Sequence, residues 1–146
     1  MTETMKWDRR FLDLAKFVSS WSKDPSSKVG AVIVDADRRI LGVGYNGFPR
    51  GTNDDHVIYN DRPRKYLRVV HAEANAILNS TGNLEGATIY CTHPPCASCT
   101  GLIIQSGIRT VISLQANEQF YIRLRDSLDE AELMLNESGI QRWSYD

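Results

Sequence analysis

His71-Ala72-Glu73 and, further along, Pro95-Cys96-Ala97-Ser98-Cys99 hold the residue types in this chain that can do chemistry. One imidazole and two thiolates make a three-ligand zinc site, and the fourth tetrahedral position stays open for water. Zinc lowers the pKa of that water, so hydroxide becomes available near neutral pH. Glu73 stands two residues from His71 and is not needed as a ligand, which frees its carboxylate to carry protons. Taken alone, each half has an ordinary explanation. A single Cys-x-x-Cys serves as a redox dithiol or as half of a structural zinc knuckle. A structural site closes with four protein ligands, and the chain has no second Cys-x-x-Cys. A redox dithiol does not require His-x-Glu upstream. Together the two halves point to one catalytic zinc held by His71, Cys96 and Cys99, with Glu73 as the proton carrier.

These residues need elements to hold them. Trp7, Phe11, Leu14, Ala15 and Val18 repeat at helical spacing, and the helix should end near Trp21, before the turn Ser22-Lys23-Asp24-Pro25. Val29 to Val34 and Ile40 to Tyr45 are apolar, β-branched runs joined by Asp35-Ala36-Asp37-Arg38, which reads as a hairpin. Asn53 to Arg68 is long and aperiodic, the composition of a functional loop; Arg62, Arg64, Lys65 and Arg68 there are either substrate-facing cations or a solvated surface. His71 and Glu73 open a helix through Leu78. Cys96 and Cys99 lie in the first turn of a second helix, entered by Pro95 and stopped by Gly107. Helix N-termini carry partial positive charge and favour thiolates. Strands at Ala87 to Cys91 and Thr110 to Leu114 flank that helix as a parallel crossover. Leu124, Leu128, Ala131 and Leu135 mark a last helix ending at Gly139, and Ile140 to Trp143 reads as a final strand. The expected fold is α/β: a three-layer α/β/α sandwich around a mixed sheet of about five strands.

The 146 residues fit one domain, 1–146, and 42% hydrophobic content is enough for one core. No apolar run approaches the ~20 residues of a membrane span, and Met1 to Arg10 lacks a signal-peptide core. Three cysteines, two of them in the motif, argue against a disulfide scaffold and for a reducing cytoplasm. A net charge of −1 argues against a long nucleic acid as partner, but not against a small anion.

From about Phe11 to Val111 the chain resembles the deoxycytidylate (dCMP) deaminases of the cytidine deaminase superfamily. Four blocks carry the resemblance: Ser22-Lys23-Asp24-Pro25 leading into Val29-Gly30-Ala31; Gly42 to Gly51; His71 to Ile77; and Pro95 to Cys99 with Ile104-Gln105-Ser106-Gly107-Ile108. The resemblance implies loss of the 4-amino group of dCMP, giving dUMP and ammonia, by hydroxide attack at C4 with Glu73 shuttling protons. It assigns His71, Cys96 and Cys99 to one Zn2+. It sets Asn46 against the sugar and the backbone near Ala72 and Cys96 against the base edge. It points to Ser22, Lys23 or Lys28 for the phosphate. Gly44-Tyr45-Asn46-Gly47 corresponds to a segment that in regulated members binds a nucleoside triphosphate effector, dCTP or dTTP with Mg2+, at a subunit interface; alternatively its glycines only permit positive φ. The resemblance and the apolar last helix both suggest a homo-oligomer, a hexamer or a dimer.

The chain also departs from the pattern. Outside the motif only Cys91, His56 and His93 remain to hold a second zinc, which is not expected: Cys91 reads as core and His93 as a loop residue. After Leu114, an Asp/Tyr-rich loop is replaced by Gln115 to Tyr121, so base and phosphate selectivity stay open. The alternatives are a 5-substituted dCMP, another nucleotide or a tRNA base as substrate, and a non-catalytic zinc-binding interaction module.

Overall fold

A computed structural model describes residues 1–146. The elements run α1 (Glu3–Ser19), β1 (Gly30–Val34), β2 (Ile40–Tyr45), α2 (His56–Asn60), α3 (Arg62–Arg68), α4 (Ala72–Asn79), β3 (Thr88–Cys91), α5 (Ala97–Gln105), β4 (Thr110–Leu114), α6 (Glu118–Ser138) and β5 (Gln141–Tyr145). The five strands form one mixed sheet in the order β2-β1-β3-β4-β5. β1 is antiparallel to β2 and β3, while β3, β4 and β5 are mutually parallel. A chain segment of helical length between β3 and β4 is what a parallel pair demands, and α5 supplies it.

Strand alternation divides the core into two layers. Val32, Val34, Tyr90 and Ile112 pack with Phe11, Leu12 and Ala15 of α1. Ala31, Ile33, Ile89, Cys91 and Val111 pack on the other face with Ala72 and Ala76 of α4, Ile103 of α5 and Leu135 of α6. The expected sandwich with helices on both faces is therefore the observed one. In the α1 layer Asp8 is buried yet satisfied: the hydroxyls of Tyr90 and Tyr145 donate to its two oxygens at 2.8 and 2.6 Å. A buried carboxylate without such donors would be strongly destabilising.

Two expectations need correction. Asn53–Arg68 is not one aperiodic loop, because α2 and α3 form within it. Asp61 caps α3 by accepting from the Arg64 amide, and Pro63 sits in its first turn. Both helices are too short for an apolar repeat to register. The glycines of β2 are not there for positive φ. Those with positive φ are Gly51, Gly82, Gly86, Gly107 and Gly139. Gly44 is needed for close approach: a Cβ there would sit 2.3 Å from the Ala76 nitrogen and 2.4 Å from the Ala72 oxygen. That contact presses β2 against the first turns of α4, where the chemistry starts.

Candidate active site

His71 is the N-cap of α4 and Cys96 the N-cap of α5, and neither side chain accepts a capping hydrogen bond. Most helices place Ser, Thr, Asp or Asn there. Two helices that begin without such a cap, and that begin at one point in space, mark residues kept for another purpose. The ligand atoms of His71, Cys96 and Cys99 lie within 4.8 Å of one another. The Cys96 and Cys99 sulfurs stand 3.5 and 3.3 Å from His71 Nδ1. A tetrahedral zinc with its usual bond lengths holds sulfur and nitrogen ligands about 3.5 Å apart. The donor set fits zinc in number, type and spacing.

Electrostatics agree. Hydrogen bonds from the Cys99 thiol and from His71 hold the Cys96 thiol well below the usual cysteine value, against the opposing effect of burial. Cys99 is pushed up, first by that hydrogen bond to Cys96 and then by burial. The pair thus takes one negative charge readily, and a second requires a cation between the sulfurs. Bonding to Cys96 raises the His71 pKa against the effect of burial. Glu73, in the first turn of α4, is only 4% exposed. Burial, with the negative Cys96 adding to it, pushes its carboxyl up to about 7. A carboxyl group that titrates near neutrality suits a proton carrier.

His71, Glu73 and Cys96 line a cavity of about 360 Å³, with Cys99 buried behind it. His71, Ala72, Glu73 and Cys96 lie on one side, and the other walls come from three further regions of the chain. Asp24, Ser26, Ser27 and Val29 come from the turn before β1, Arg62, Lys65 and Tyr66 from α3, and Phe120, Arg123 and Leu124 from α6. Asn46 also faces the cavity and is fixed there. Its Oδ1 accepts from the Val29 amide at 2.9 Å, and its Nδ2 donates to the Ser27 carbonyl at 2.8 Å. His93 faces the same cavity, its ring 5.0 Å from that of Phe120. Burial, and then the positive Arg123, hold its pKa below the ordinary histidine value.

The other expected residues lie elsewhere. Ser22 is buried and donates to the Asn46 carbonyl at 2.8 Å. Lys23 is exposed and paired with Asp54 at 2.6 Å. Lys28 turns back to donate to the Ser22 carbonyl. None of the three lines the cavity, because each is already engaged by Asn46, Asp54 or the turn itself. Its cavity-facing residues are their neighbours Asp24, Ser26 and Ser27. Of the cations of residues 53–68, Arg62 and Lys65 reach the cavity, whereas Arg68 donates to the Asn53 carbonyl at 3.2 Å. Lys65 is itself consumed, being buried against Asp24 at 3.2 Å and Ser26 at 2.8 Å. In the Gly44–Gly47 segment Tyr45 is exposed beside Trp21, at 6.0 Å between rings, while Gly44 is packed on α4. Sequence reasoning missed Phe120, Arg123 and Leu124. Their i, i+3, i+4 spacing was the available signal.

The description "Cytidine and deoxycytidylate deaminase zinc-binding region" matches residues 5–115, and the chain belongs to that family. A deaminase of the luxG 3′ region of Aliivibrio fischeri is 43% identical over 93% of this chain and 91% of its own length. Human deoxycytidylate deaminase is 37% identical over 93% of this chain and 78% of its own length. The crystal structure of dCMP deaminase from the cyanophage S-TIM5, in complex with dCMP and dUMP, superposes with a TM-score of 0.74. It covers 99% of both chains at 25% identity.

Proposed function

We propose that this chain is a zinc-dependent hydrolase that converts dCMP to dUMP and ammonia, thereby feeding thymidylate synthesis. The observation that carries the reading is Glu73, a buried carboxylate in the wall of a substrate-sized cavity, beside three zinc donors and spare to the metal. A structural zinc module has no use for it. The named relatives and the nucleotide complex of the cyanophage protein support dCMP over other bases.

His71, Cys96 and Cys99 would hold the metal, which supplies a Lewis acid able to make water nucleophilic near neutral pH. Glu73 would move two protons: one from the attacking water to the ring nitrogen beside C4, and then the second, from the oxygen added at C4, to the amine, which leaves as ammonia. The N-terminal ends of α4 and α5 face the same point and favour negative charge there. Ala72 and Cys96, both in the cavity wall, present backbone to the base edge, and the fixed Asn46 amide holds the sugar.

Residues 1–146 act as one domain in this reading. The exposed cluster Phe17, Trp21 and Tyr45 supports self-association. Control by dCTP and dTTP with Mg2+ at the Tyr45 side of the Gly44–Gly47 segment is the corresponding proposal for regulation. Three free thiols, two of them metal donors, support a reducing cytoplasm. No helix is long and apolar enough to cross a membrane. The test is ammonia release from a panel of dCMP, 5-methyl-dCMP, deoxycytidine, AMP and a tRNA anticodon stem. Fastest release from dCMP is expected; faster release from a purine or from RNA overturns the assignment.

A further inference from the structure

α5 begins at a residue that does not cap it: Cys96 holds the N-cap position, and its sulfur is one of the three metal donors. The first amides of a helix have no partner within the helix, and here the first of them finds one on another helix. The Ala97 amide donates to Ser127 Oγ of α6 at 2.8 Å, in a part-buried contact between residues 30 apart in sequence. A serine in a helix commonly bonds back to its own preceding turn, as Ser19 and Ser138 do to the Lys16 and Leu135 carbonyls. Ser127 Oγ accepts from a neighbouring helix instead. The part of α6 that carries it is well anchored. Leu128, Ala131 and Leu135 are buried, whereas none of residues 117–123 is, and the non-helical Leu124 separates the two parts. Ser127 therefore stands in the first turn of the anchored part, on a backbone that the core holds still.

Ala97 follows Cys96 directly, and Cys99 lies two residues further on. The Thr100 amide closes the same turn on the Cys96 carbonyl at 2.9 Å. Fixing the Ala97 amide thus fixes the stretch of backbone from which both sulfurs project. Resting on the zinc reading above, we propose that Ser127 is a positioning residue for the metal site: it caps α5 from α6 and keeps the Cys96–Cys99 turn in its metal-binding form before the metal arrives. Ser127 touches neither the donor atoms nor the cavity. Its effect passes through the backbone. A site whose competent form is only partly populated binds with its affinity reduced by that fraction, and this bond keeps the fraction high. Ser127 also lies beyond residues 5–115, so a part of the chain outside the family description supports the metal donors within it. Alanine is a better helix former than serine. Ser127→Ala therefore leaves α6 intact as a helix and removes only the acceptor.

Zinc affinities of metal-free wild type, Ser127→Ala, Ser127→Thr and Ser138→Ala, measured by competition with a chromogenic chelator, test this. Titration of the same samples with Co2+, followed by the visible absorption of the tetrahedral thiolate-bound ion, gives a second reading of the site. Ser127→Ala should bind zinc about 3- to 30-fold more weakly, the equivalent of one lost helix cap, with a matching loss for Co2+. In the metal-free protein, exchange of the Ala97 amide should speed up by a similar factor. Ser127→Thr keeps the hydroxyl and should recover most of the affinity. Ser138→Ala removes a hydroxyl that bonds only within α6, and should bind as wild type does. Wild-type zinc affinity in Ser127→Ala, no recovery in Ser127→Thr, or an equal loss in Ser138→Ala overturns the role of Ser127 and leaves the zinc reading standing. A wild-type protein that binds no zinc overturns both.

Discussion

At the scale of single residues, the chemistry was legible because zinc ligation restricts residue type so tightly. His71, Cys96 and Cys99 were identifiable from spacing, and their ligand atoms do meet. What the sequence did not disclose was which polar residue of a turn faces inward. Ser22, Lys23 and Lys28 differ from Asp24, Ser26 and Ser27 only in the direction the backbone turns them, and no pattern of apolar residues records that for an irregular segment. The burial of Asp24 has a consequence that can be measured. Burial alone would raise its pKa, but hydrogen bonds from the Ser26 and Ser27 amides and from Lys65 outweigh it and leave the carboxyl below its ordinary value. A carboxyl depressed on folding stabilises the fold above its unfolded pKa of about 3.9. That contribution is lost as pH falls through the lower, folded value. Asp24→Ala should therefore flatten the acid limb of the stability curve in urea titrations carried below about pH 4. At neutral pH it should cost about 3–5 kcal/mol, because Lys65 is left buried and uncompensated. A loss under about 1 kcal/mol would show that the pair is not what holds the turn. Cys99→Ala should remove the metal, as measured by elemental analysis.

At the scale of elements, the strands could be read as short apolar, β-branched runs between turn signals, since β1, β3 and β4 are buried on both faces, and α1 could be read from its helical period. Helices α2 and α3 could not, because one or two turns carry no period. The last helix, marked in the sequence by Leu124, Leu128, Ala131 and Leu135, begins at Glu118 and bends at Leu124, whose φ of −113° and ψ of 18° are non-helical. The segment before the bend follows the Asn117 cap, whose side chain accepts from the Phe120 amide at 2.8 Å, and it holds Phe120 and Arg123 to the cavity. The packing of β2 on α4 makes a sharp prediction. Gly44→Ala would set a methyl group against two backbone atoms that cannot yield. It should destabilise by about 1–3 kcal/mol. It should also lower turnover well beyond that of a surface control, because α4 carries His71 and Glu73. Thermal unfolding and kcat together check this; wild-type values for both would mean that α4 is not positioned by β2. Metal removal should act on elements too. The uncapped starts of α4 and α5 should lose amide-exchange protection in the chelated protein, while α1, packed on the opposite face, keeps its own.

At the scale of the whole molecule, the α/β/α sandwich follows from strands buried on both faces, and α4 and α5 on one face both open toward the cavity. The net charge of −1 argued against a long nucleic acid as partner, yet it said nothing about which charged side chains would line the cavity. Exposed Phe17 and Tyr45 each meet the exposed Trp21 ring, and this patch is the surface on which the proposed self-association rests. Light scattering at micromolar concentration should give a multiple of the 16.5 kDa chain mass, and a strict monomer would contradict it. The central claim is that one zinc at His71, Cys96 and Cys99 turns this cavity into a dCMP deaminase. The most direct test is to titrate the metal-free protein with zinc while following conversion of dCMP to dUMP. Activity should rise in proportion to added zinc and level off at one equivalent per chain. Full activity without metal, or no conversion of dCMP at one equivalent of bound zinc, would contradict the account.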